Sequence, residues 1–282
     1  MLKGNIFMPR ILSELVSRRF AEQIELDRVQ SFSDTHILQL QHRTCRQFRK
    51  TPVSEETLKL LFACSLSAPS KSDLQQVSII HLQSRDSRNF IHSVLPSMPW
   101  IKTAPVFLLF CGDSHRIQTV CEMHKTTFAH DPLDAFLNTA TDTAMALQNF
   151  IVAAEAAGLG CCPISAVREV TKQVAKFCQM PDGVYPLAGL CLGYPDDVPD
   201  MSVRLPMSTT LHKDRYNNKS LKVSIKDYDK RREEINPYKS QRQIDRYGTS
   251  DPYGWSSDKA RQTSNTERLG FKTYIRKHGF KI

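Results

Sequence analysis

The stretch DTAMALQNFIVAAEAAGLGCCPI at residues 142–164 decides the fold, because it contains most of the longest helical pattern in the chain. A helix is predicted over residues 133–159, and a Gly-Leu-Gly sequence at its end is a typical C-terminal stop. A helix that is apolar on all sides is buried, either in a domain core or in a subunit interface. The few charged residues of this helix are Asp134, Asp142 and Glu155.

Apolar runs on either side of this helix predict buried β-strands. The runs are VSIIHL at 77–82, PVFLLFC at 105–111 and PLAGLCLGYP at 186–195. The segment GLGCCPIS at 158–165 is interpreted as the connection to a helix at 166–178. Helices interleaved with three or four buried strands indicate an α+β or mixed α/β fold. The other predicted helices cover residues 9–30, 33–41 and 86–95 and the residues after the N-cap Ser54.

The composition is that of an ordinary soluble globular protein. Of its 282 residues, 40% are apolar and 24% are charged, and no run has the roughly 18 apolar residues that a membrane-spanning helix needs. Eight cysteines without a C-x-x-C pair predict free thiols in a reducing compartment, here the cytoplasm. No metal site is predicted, because histidines never occur in ligand spacing. The basic segment 1–20 is either a short amphipathic helix or an organelle-targeting segment.

The positive charge of the chain is concentrated near its C-terminal end. The formal net charge is +9, and residues 213–282 contain 18 Lys and Arg against 9 Asp and Glu. A basic segment of this kind is typical of contact with nucleic acid, an anionic membrane or a phosphorylated cofactor. The residues after 196 have few apolar side chains, which predicts an irregular extension without a core of its own.

Three short segments contain candidate binding residues. In HRTCR at 42–46, Arg43 and Arg46 suit a phosphate, and the alternative is a solvated basic turn. APSKSDLQ at 68–75 either lets a planar ligand approach the backbone or is an ordinary helix-to-strand loop. Ser165 either caps the next helix or lies where backbone N–H groups meet an electron-rich ligand. Because G-x-G-x-x-G, Walker and G-x-S-x-G motifs are absent from the sequence, a Rossmann site, a P-loop and a hydrolase triad are not supported.

Taken in order, these segments resemble the nitroreductase family. HRTCRQF, PVSEETLKLLFACSLSAPSKSDLQ and VSIIHL are similar to the opening of the family: a basic R-S-x-R-x-F segment, P-[IV]-x-x-E, a helix ending in a small-residue loop, and a strand. DTAMALQNFIVAAEAAGLGCCPI followed by PLAGLCLGYPDDVPDMSVRLP is similar to the NADPH-linked, oxygen-insensitive branch, which includes the flavin reductases of the P type. The resemblance covers roughly residues 34–282.

The resemblance implies an α+β, nitroreductase-like fold, with a central, mainly antiparallel sheet flanked by helices, in an intertwined homodimer that binds FMN at the subunit interface. Residues 34–212 would form the FMN-binding core, residues 213–282 would wrap the partner subunit, and residues 1–33 would be a helical N-terminal extension. The implied enzyme transfers a hydride from NADPH to FMN and then reduces nitroaromatics, quinones or free flavin in a ping-pong cycle. It would have a small-molecule electron acceptor, no nucleic-acid or membrane partner, and no catalytic side chain.

The resemblance also implies the residues that would bind the cofactors. Arg46 would stand at the pyrimidine edge of FMN, where a cation stabilises the anionic reduced flavin. Ser202 stands where the branch usually has a phosphate-binding Lys. Met98 stands where a Gln often meets the flavin, and its thioether cannot donate a hydrogen bond. Arg246 would bind the 2′-phosphate of NADPH. The other FMN contacts would be His42, Arg43, Thr44 and Arg204 near the phosphate and ribityl chain, and Ser70, Pro163, Ile164 and Ser165 near the ring.

Two alternatives remain at this point. The first is a flavin-binding or flavin-sensing protein of the same fold with little turnover, which the departures at positions 98 and 202 would favour. The second is a basic nucleic-acid-binding protein that uses residues 213–282. No recognised binding motif and no usual interleaving of aromatic and basic residues supports the second alternative.

Overall fold

A computed structural model describes residues 7–26, 29 and 31–282. These residues divide into two compact units. One unit contains the described part of residues 1–42 together with residues 200–266, and the other contains residues 43–199 and 267–282.

The described residues form thirteen α-helices, four strands and two short 3-10 helices. The helices are α1 (Phe7–Phe20), α2 (Asp34–Gln41), α3 (Glu55–Leu66), α4 (Arg85–Val94), α5 (Trp100–Thr103), α6 (His115–Met123), α7 (Pro132–Ala156), α8 (Thr171–Phe177), α9 (Met207–Thr210), α10 (Leu221–Ile235), α11 (Ile244–Tyr247), α12 (Trp255–Thr263) and α13 (Leu269–Lys277). The strands are β1 (Val77–His81), β2 (Val106–Asp113), β3 (Gly160–Ile164) and β4 (Val184–Gly193), and the 3-10 helices are Lys71–Asp73 and Ser165–Arg168. The single helix predicted over residues 166–178 is therefore divided into a 3-10 turn and α8.

The unit of residues 43–199 and 267–282 is built around one antiparallel sheet. Its strand order is β1-β2-β4-β3, and each neighbouring pair is antiparallel. Every residue of β2 is buried, which explains why its sequence is a continuous apolar run rather than an alternating one. The predicted α+β fold, with a mainly antiparallel central sheet and flanking helices, is confirmed.

The edge strand β3 was interpreted from the sequence as a simple connection, and that interpretation is wrong. Cys161 pairs with Leu192, and Cys162 pairs with Cys191 of β4. Pro163 has no N–H to give to a sheet, and an edge strand tolerates this because one of its sides is not paired to a further strand. The run is short and contains Gly and Pro, so its composition did not indicate a strand.

The N-terminal helix is shorter than the predicted helix at 9–30. It ends at Phe20, and Ala21 has a φ of 50°, a left-handed conformation that does not continue an α-helix. The backbone N–H of Ile24 donates to Ser17 Oγ at 3.0 Å, so the chain after Phe20 folds back against the last turn of the helix. Positions 27, 28 and 30 of the predicted helix lie outside the described residues, as do residues 1–6 of the basic start.

The chain after residue 196 forms helices, so the prediction that this extension is irregular is wrong. Its largest buried apolar side chains are aromatic. Tyrosine buries apolar surface while its hydroxyl forms a hydrogen bond at the edge of a small core. A count of aliphatic residues therefore underestimates how much of this segment can be buried. The buried aromatic residues of this part are Tyr228 and Tyr253 in the first unit and Tyr274 and Phe280 in the sheet unit.

The long helix α7 is buried on one side only. Leu133 and Leu137 are 60% and 59% exposed, and both lie on the side of the helix that the subunit does not bury. Burial in the core therefore explains one side of the helix, and a subunit interface stays a prediction for the other. The buried side consists of Ala135, Thr139, Asp142, Thr143, Ala146, Phe150, Ile151 and Ala154.

We expect Phe150→Ala to destabilise the sheet unit by about 3–5 kcal/mol, because it removes a fully buried ring and leaves a cavity. The ring of Phe150 lies with its centroid 5.7 Å from that of Phe110 on β2 and 5.8 Å from that of Phe62 on α3, so its loss uncouples three elements. Urea unfolding followed by circular dichroism measures the change. Val120→Ala, at a 44% exposed position on α6, is the control and should change stability by less than about 1 kcal/mol. Equal midpoints for the two variants would contradict this account of the core.

Candidate cofactor-binding site

The basic segment HRTCR is attached to the free edge of β3. Thr44 forms a parallel bridge with Cys161, and the backbone N–H of Cys45 donates to the carbonyl of Cys161 at 2.8 Å. The Cys45 side chain is buried, whereas Arg46 is exposed. Gly160 permits this close approach, because a Cβ at this position would lie 2.6 Å from the Cβ of Cys45. The sheet edge therefore fixes which side chains of the segment face outward.

Arg46 stands over an aromatic ring. Its guanidinium carbon lies 5.4 Å from the centroid of Trp100, which begins α5. A guanidinium stacked on an indole keeps its charge while its orientation is restricted. Burial raises the pKa of the Cys162 thiol, and the Arg46 charge lowers it in part. The predicted flavin-facing cation is thus exposed, restricted in orientation and above a neutral thiol.

Arg43 has an unmet hydrogen-bonding group. The residue is half-buried, and its Nε is buried without a hydrogen-bond partner among the described residues. A buried donor without a partner is rare in native proteins, and a bound anion is one way to satisfy it. This observation fits the predicted phosphate or ribityl contact.

The loop that carries Ser70 is fixed by a buried carboxylate. Asp142, 3% exposed on α7, accepts a hydrogen bond from Ser70 Oγ at 2.8 Å and one from the backbone N–H of Lys71 at 3.0 Å. Gln76 Nε2 also donates to it, at 3.3 Å. Ser70 Oγ in turn accepts from the backbone N–H of Gln75 at 2.7 Å. Asp142 is therefore a buried structural carboxylate that organises the predicted flavin-contacting loop.

At the end of β3, the predicted ring-flanking residues differ in exposure. Pro163 and Ser165 are exposed, whereas the Ile164 side chain is 2% exposed and belongs to the core. Ile164 can therefore flank a ring only through its backbone. Arg268 Nη2 donates to Ser165 Oγ at 3.2 Å, and Arg268 Nε is buried without a partner among the described residues.

Sequence reasoning missed Arg268 as a member of this group. The residue is separated from Ser165 by 103 positions and precedes α13 as its N-cap, in a tail from which only Arg246 was selected individually. No local motif marks it. Only the packing of α13 on α8, within the sheet unit, brings it to the end of β3.

In the other unit, His42 and Arg204 line one cavity of about 390 Å³, which Arg19 and His36 also line. Arg204 Nη1 donates to Ser202 Oγ at 2.7 Å. Two arginines and two histidines around a small cavity suit a dianionic phosphate. The cavity therefore contains the predicted phosphate residues of this unit, and it adds Arg19, which sequence reasoning did not select.

The remaining predicted residues have weaker structural support. Arg246 is exposed on α11, donates to Asn265 Oδ1 at 3.3 Å and lies over the ring of Tyr247. Nothing in this arrangement tests a contact with the 2′-phosphate of NADPH, which stays a prediction. Met98 packs against the apolar core beside Trp100 and has no polar group to offer a flavin.

Metal groups, disulfides and membrane-spanning helices are not found among the described residues. They contain no group of three or more His, Cys, Asp or Glu side chains that could hold a metal ion. All eight cysteines are free thiols. No described helix is both long and apolar enough to pass through a bilayer.

Comparison with known proteins places the chain in a family. Residues 40–194 match the model of the nitroreductase family, and residues 202–282 match the model of its C-terminal domain. The chain belongs to the nitroreductase family, as the sequence motifs predicted.

Individual relatives agree with the family models. The chain is 33% identical to "FMN reductase [NAD(P)H]" of Bacillus subtilis (strain 168) over 247 residues, which are 86% of the chain and 95% of that protein. Among solved structures it is similar to the hypothetical oxidoreductase YcnD from Bacillus subtilis, with a TM-score of 0.81, 30% identity and coverage of 89% of this chain and 99% of that one. It is also similar to the NADPH:FMN oxidoreductase from Vibrio harveyi, with a TM-score of 0.77, 27% identity and coverage of 88% and 98%.

We expect Asp142→Ala to destabilise the protein by about 2–4 kcal/mol, because it leaves the buried Gln76 amide and two partly buried donors of the Ser70 loop without an acceptor. Limited proteolysis should then cut the loop at 68–76 faster than in the unchanged protein. Asp134→Ala, an exposed aspartate in the first turn of the same helix, is the control and should cost no more than about 1 kcal/mol. If both variants are cut at the same rate, Asp142 does not organise the loop.

Proposed function

We propose that this protein is an FMN-dependent oxidoreductase that takes a hydride from NADPH and reduces a small electron acceptor. The observation that carries the proposal is the exposed Arg46 guanidinium, which the β3 edge and Trp100 hold in a defined orientation. Relatives named "FMN reductase [NAD(P)H]", "NADPH-flavin oxidoreductase" and "Oxygen-insensitive NADPH nitroreductase" support the reaction class and the cofactors.

The residues of the chain would bind and tune the cofactor rather than react. Arg46 would stabilise negative charge on the reduced pyrimidine, while Arg43 and Thr44 would contact the ribityl chain or phosphate. His42 and Arg204 would bind the phosphate, since they line the cationic cavity of their unit. When bound, FMN supplies the hydride and electron chemistry. No side chain is required as a general acid or base.

The acceptor is proposed to be a nitroaromatic, a quinone or free flavin. Ser70, Pro163 and Ser165 are small side chains, and the last two are exposed, so they leave room for a planar molecule. Nicotinamide and acceptor would stack in turn on the same flavin face, which gives a ping-pong cycle. Arg268, which donates to Ser165 Oγ, would place a cation at that end of β3.

The partner subunit is proposed to be a second copy of this chain, docked on the exposed side of α7. The stripe Leu133, Leu137, Thr141, Ala144 and Gln148 is exposed, uncharged and spaced at helical intervals. An uncharged stripe of this length on a helix surface is typical of an interface rather than of a solvated face. In this arrangement FMN lies at the subunit interface, and residues 213–282 wrap the partner.

We expect the purified protein to be yellow, to lose its visible absorbance with NADPH under anaerobic conditions and to regain it on addition of a quinone. Arg46→Ala should slow reduction by NADPH roughly tenfold to a hundredfold, because one charge-assisted contact contributes about 1.5–3 kcal/mol. Arg46→Lys should be reduced by NADPH at a rate between those of the unchanged protein and Arg46→Ala. Arg49→Ala, at an exposed arginine three residues further on, is the control. A colourless protein that added FMN cannot convert to a yellow one would refute the proposal. Normal FMN binding without NADPH oxidation would instead favour the flavin-sensing alternative.

We expect Leu137→Glu to convert dimers to monomers in light scattering, because it places a charge in the middle of the uncharged stripe. The monomer should also lose FMN if the cofactor lies at the interface. Met123→Glu, at a position that is 74% exposed at the end of α6, is the matched control and should stay dimeric. A wild-type protein that is monomeric at micromolar concentration would contradict the proposed partner.

A further inference from the structure

Arg19, in the last turn of α1, is a buried arginine in a part of the chain for which the family motifs offer no role. It is 5% exposed. Its Nε and Nη2 donate to the carbonyl of Leu40 at 3.0 and 2.6 Å, and Nη2 also donates to the carbonyl of His42 at 2.6 Å. Its Nη1 donates to the carbonyl of Ser202 at 2.9 Å. A single guanidinium therefore connects the segment before HRTCR with the segment before Arg204.

The connection is reciprocal. The backbone N–H of Arg204 donates to the carbonyl of Arg19 at 2.7 Å. The side chain and the backbone of Arg19 thus fix both segments that carry the predicted phosphate residues of this unit. Because a guanidinium presents its donors in a rigid planar fork, the positions of the carbonyls of His42 and Ser202 become mutually dependent.

Arg19 also contributes charge to the cavity. It lines the same 390 Å³ space as His42 and Arg204, and arginine stays protonated at any pH at which the protein is folded. Ser202 occupies the position at which the resemblance implies a phosphate-binding lysine, so a cation is missing there. A buried cation contributed from α1 can offset that loss, since a charge near a protein surface still acts over several ångströms.

We propose that Arg19 is a positioning residue of the flavin phosphate site and replaces, from the N-terminal helix, the cation that Ser202 does not provide. The ligand group recognised in this way is a phosphate monoester. Helix α1 is therefore part of the binding site that distinguishes FMN from the unphosphorylated riboflavin. This inference rests on the proposed function, because it takes the phosphate of FMN as the ligand.

The test compares the binding of FMN and riboflavin to apoprotein by fluorescence quenching. In Arg19→Met the dissociation constant for FMN should rise at least roughly tenfold, while that for riboflavin changes by less than about threefold. The double variant Arg19→Met with Ser202→Lys should recover most of the FMN affinity, because it returns a cation to the cavity. Arg18→Met, at the exposed neighbouring arginine, is the matched control and should bind FMN like the unchanged protein.

Each outcome separates the inference from the function. If the unchanged protein does not bind FMN, the proposed function fails. If the unchanged protein and Arg19→Met bind FMN equally well, only the role of Arg19 is overturned. Equal losses of FMN and riboflavin affinity would also overturn it, because they indicate general loosening of the fold. If Arg19→Met does not fold, Arg19→Lys decides, because it keeps the charge but cannot present a planar fork to the carbonyls of Leu40, His42 and Ser202. It should weaken FMN and leave riboflavin unchanged, and an FMN affinity equal to that of the unchanged protein would overturn the positioning role.

Discussion

The backbone hydrogen bond from Cys45 to Cys161 is the contact on which the arrangement of the sheet-unit site depends. It places the HRTCR segment along the open edge of β3, and the alternation of an extended chain then directs Cys45 into the core and Arg46 outward. Position 160, opposite Cys45, requires glycine, because a Cβ there would overlap the Cys45 side chain. The orientation of the basic residues thus follows from backbone pairing and packing, and not from contacts among the charges themselves.

The helix α7 links this edge to the other side of the site. On its buried side, Asp142 accepts hydrogen bonds from the Ser70 loop, while Phe150 packs against the sheet. On its other side, the exposed stripe of Leu133, Leu137, Thr141, Ala144 and Gln148 is uncharged. Because the two sides belong to one helix, docking a second chain on this stripe would be mechanically coupled to the fixing of the Ser70 loop on the inner side. The proposed partner would cover the apolar residues of the helix that the subunit leaves exposed.

The parts of the fold that sequence predicted are those in which one residue pattern decides the structure. The strand at β2 is a continuous apolar run, and α7 has a long helical pattern with a clear end, so both were found. The strand β3 was missed because Gly160 and Pro163 are poor strand formers, and its pairing with β4 depends on residues thirty positions away. Arg268 and Arg19 were missed for the same reason: each acts through contacts with distant segments, and neither belongs to a local motif.

The electrostatics of the sheet-unit site agree with a reaction in which the cofactor supplies the chemistry. The basic groups there are arginines, which keep their charge across the physiological range. The neighbouring thiols stay neutral, because burial raises the pKa of Cys162 and of Cys191 above the usual range of a cysteine. Fixed cations with neutral thiols present a positive potential to whatever binds at the site. Such a potential would stabilise an anionic reduced ring without any proton transfer by a side chain, which agrees with a set of proposed contacts that contains no general acid or base.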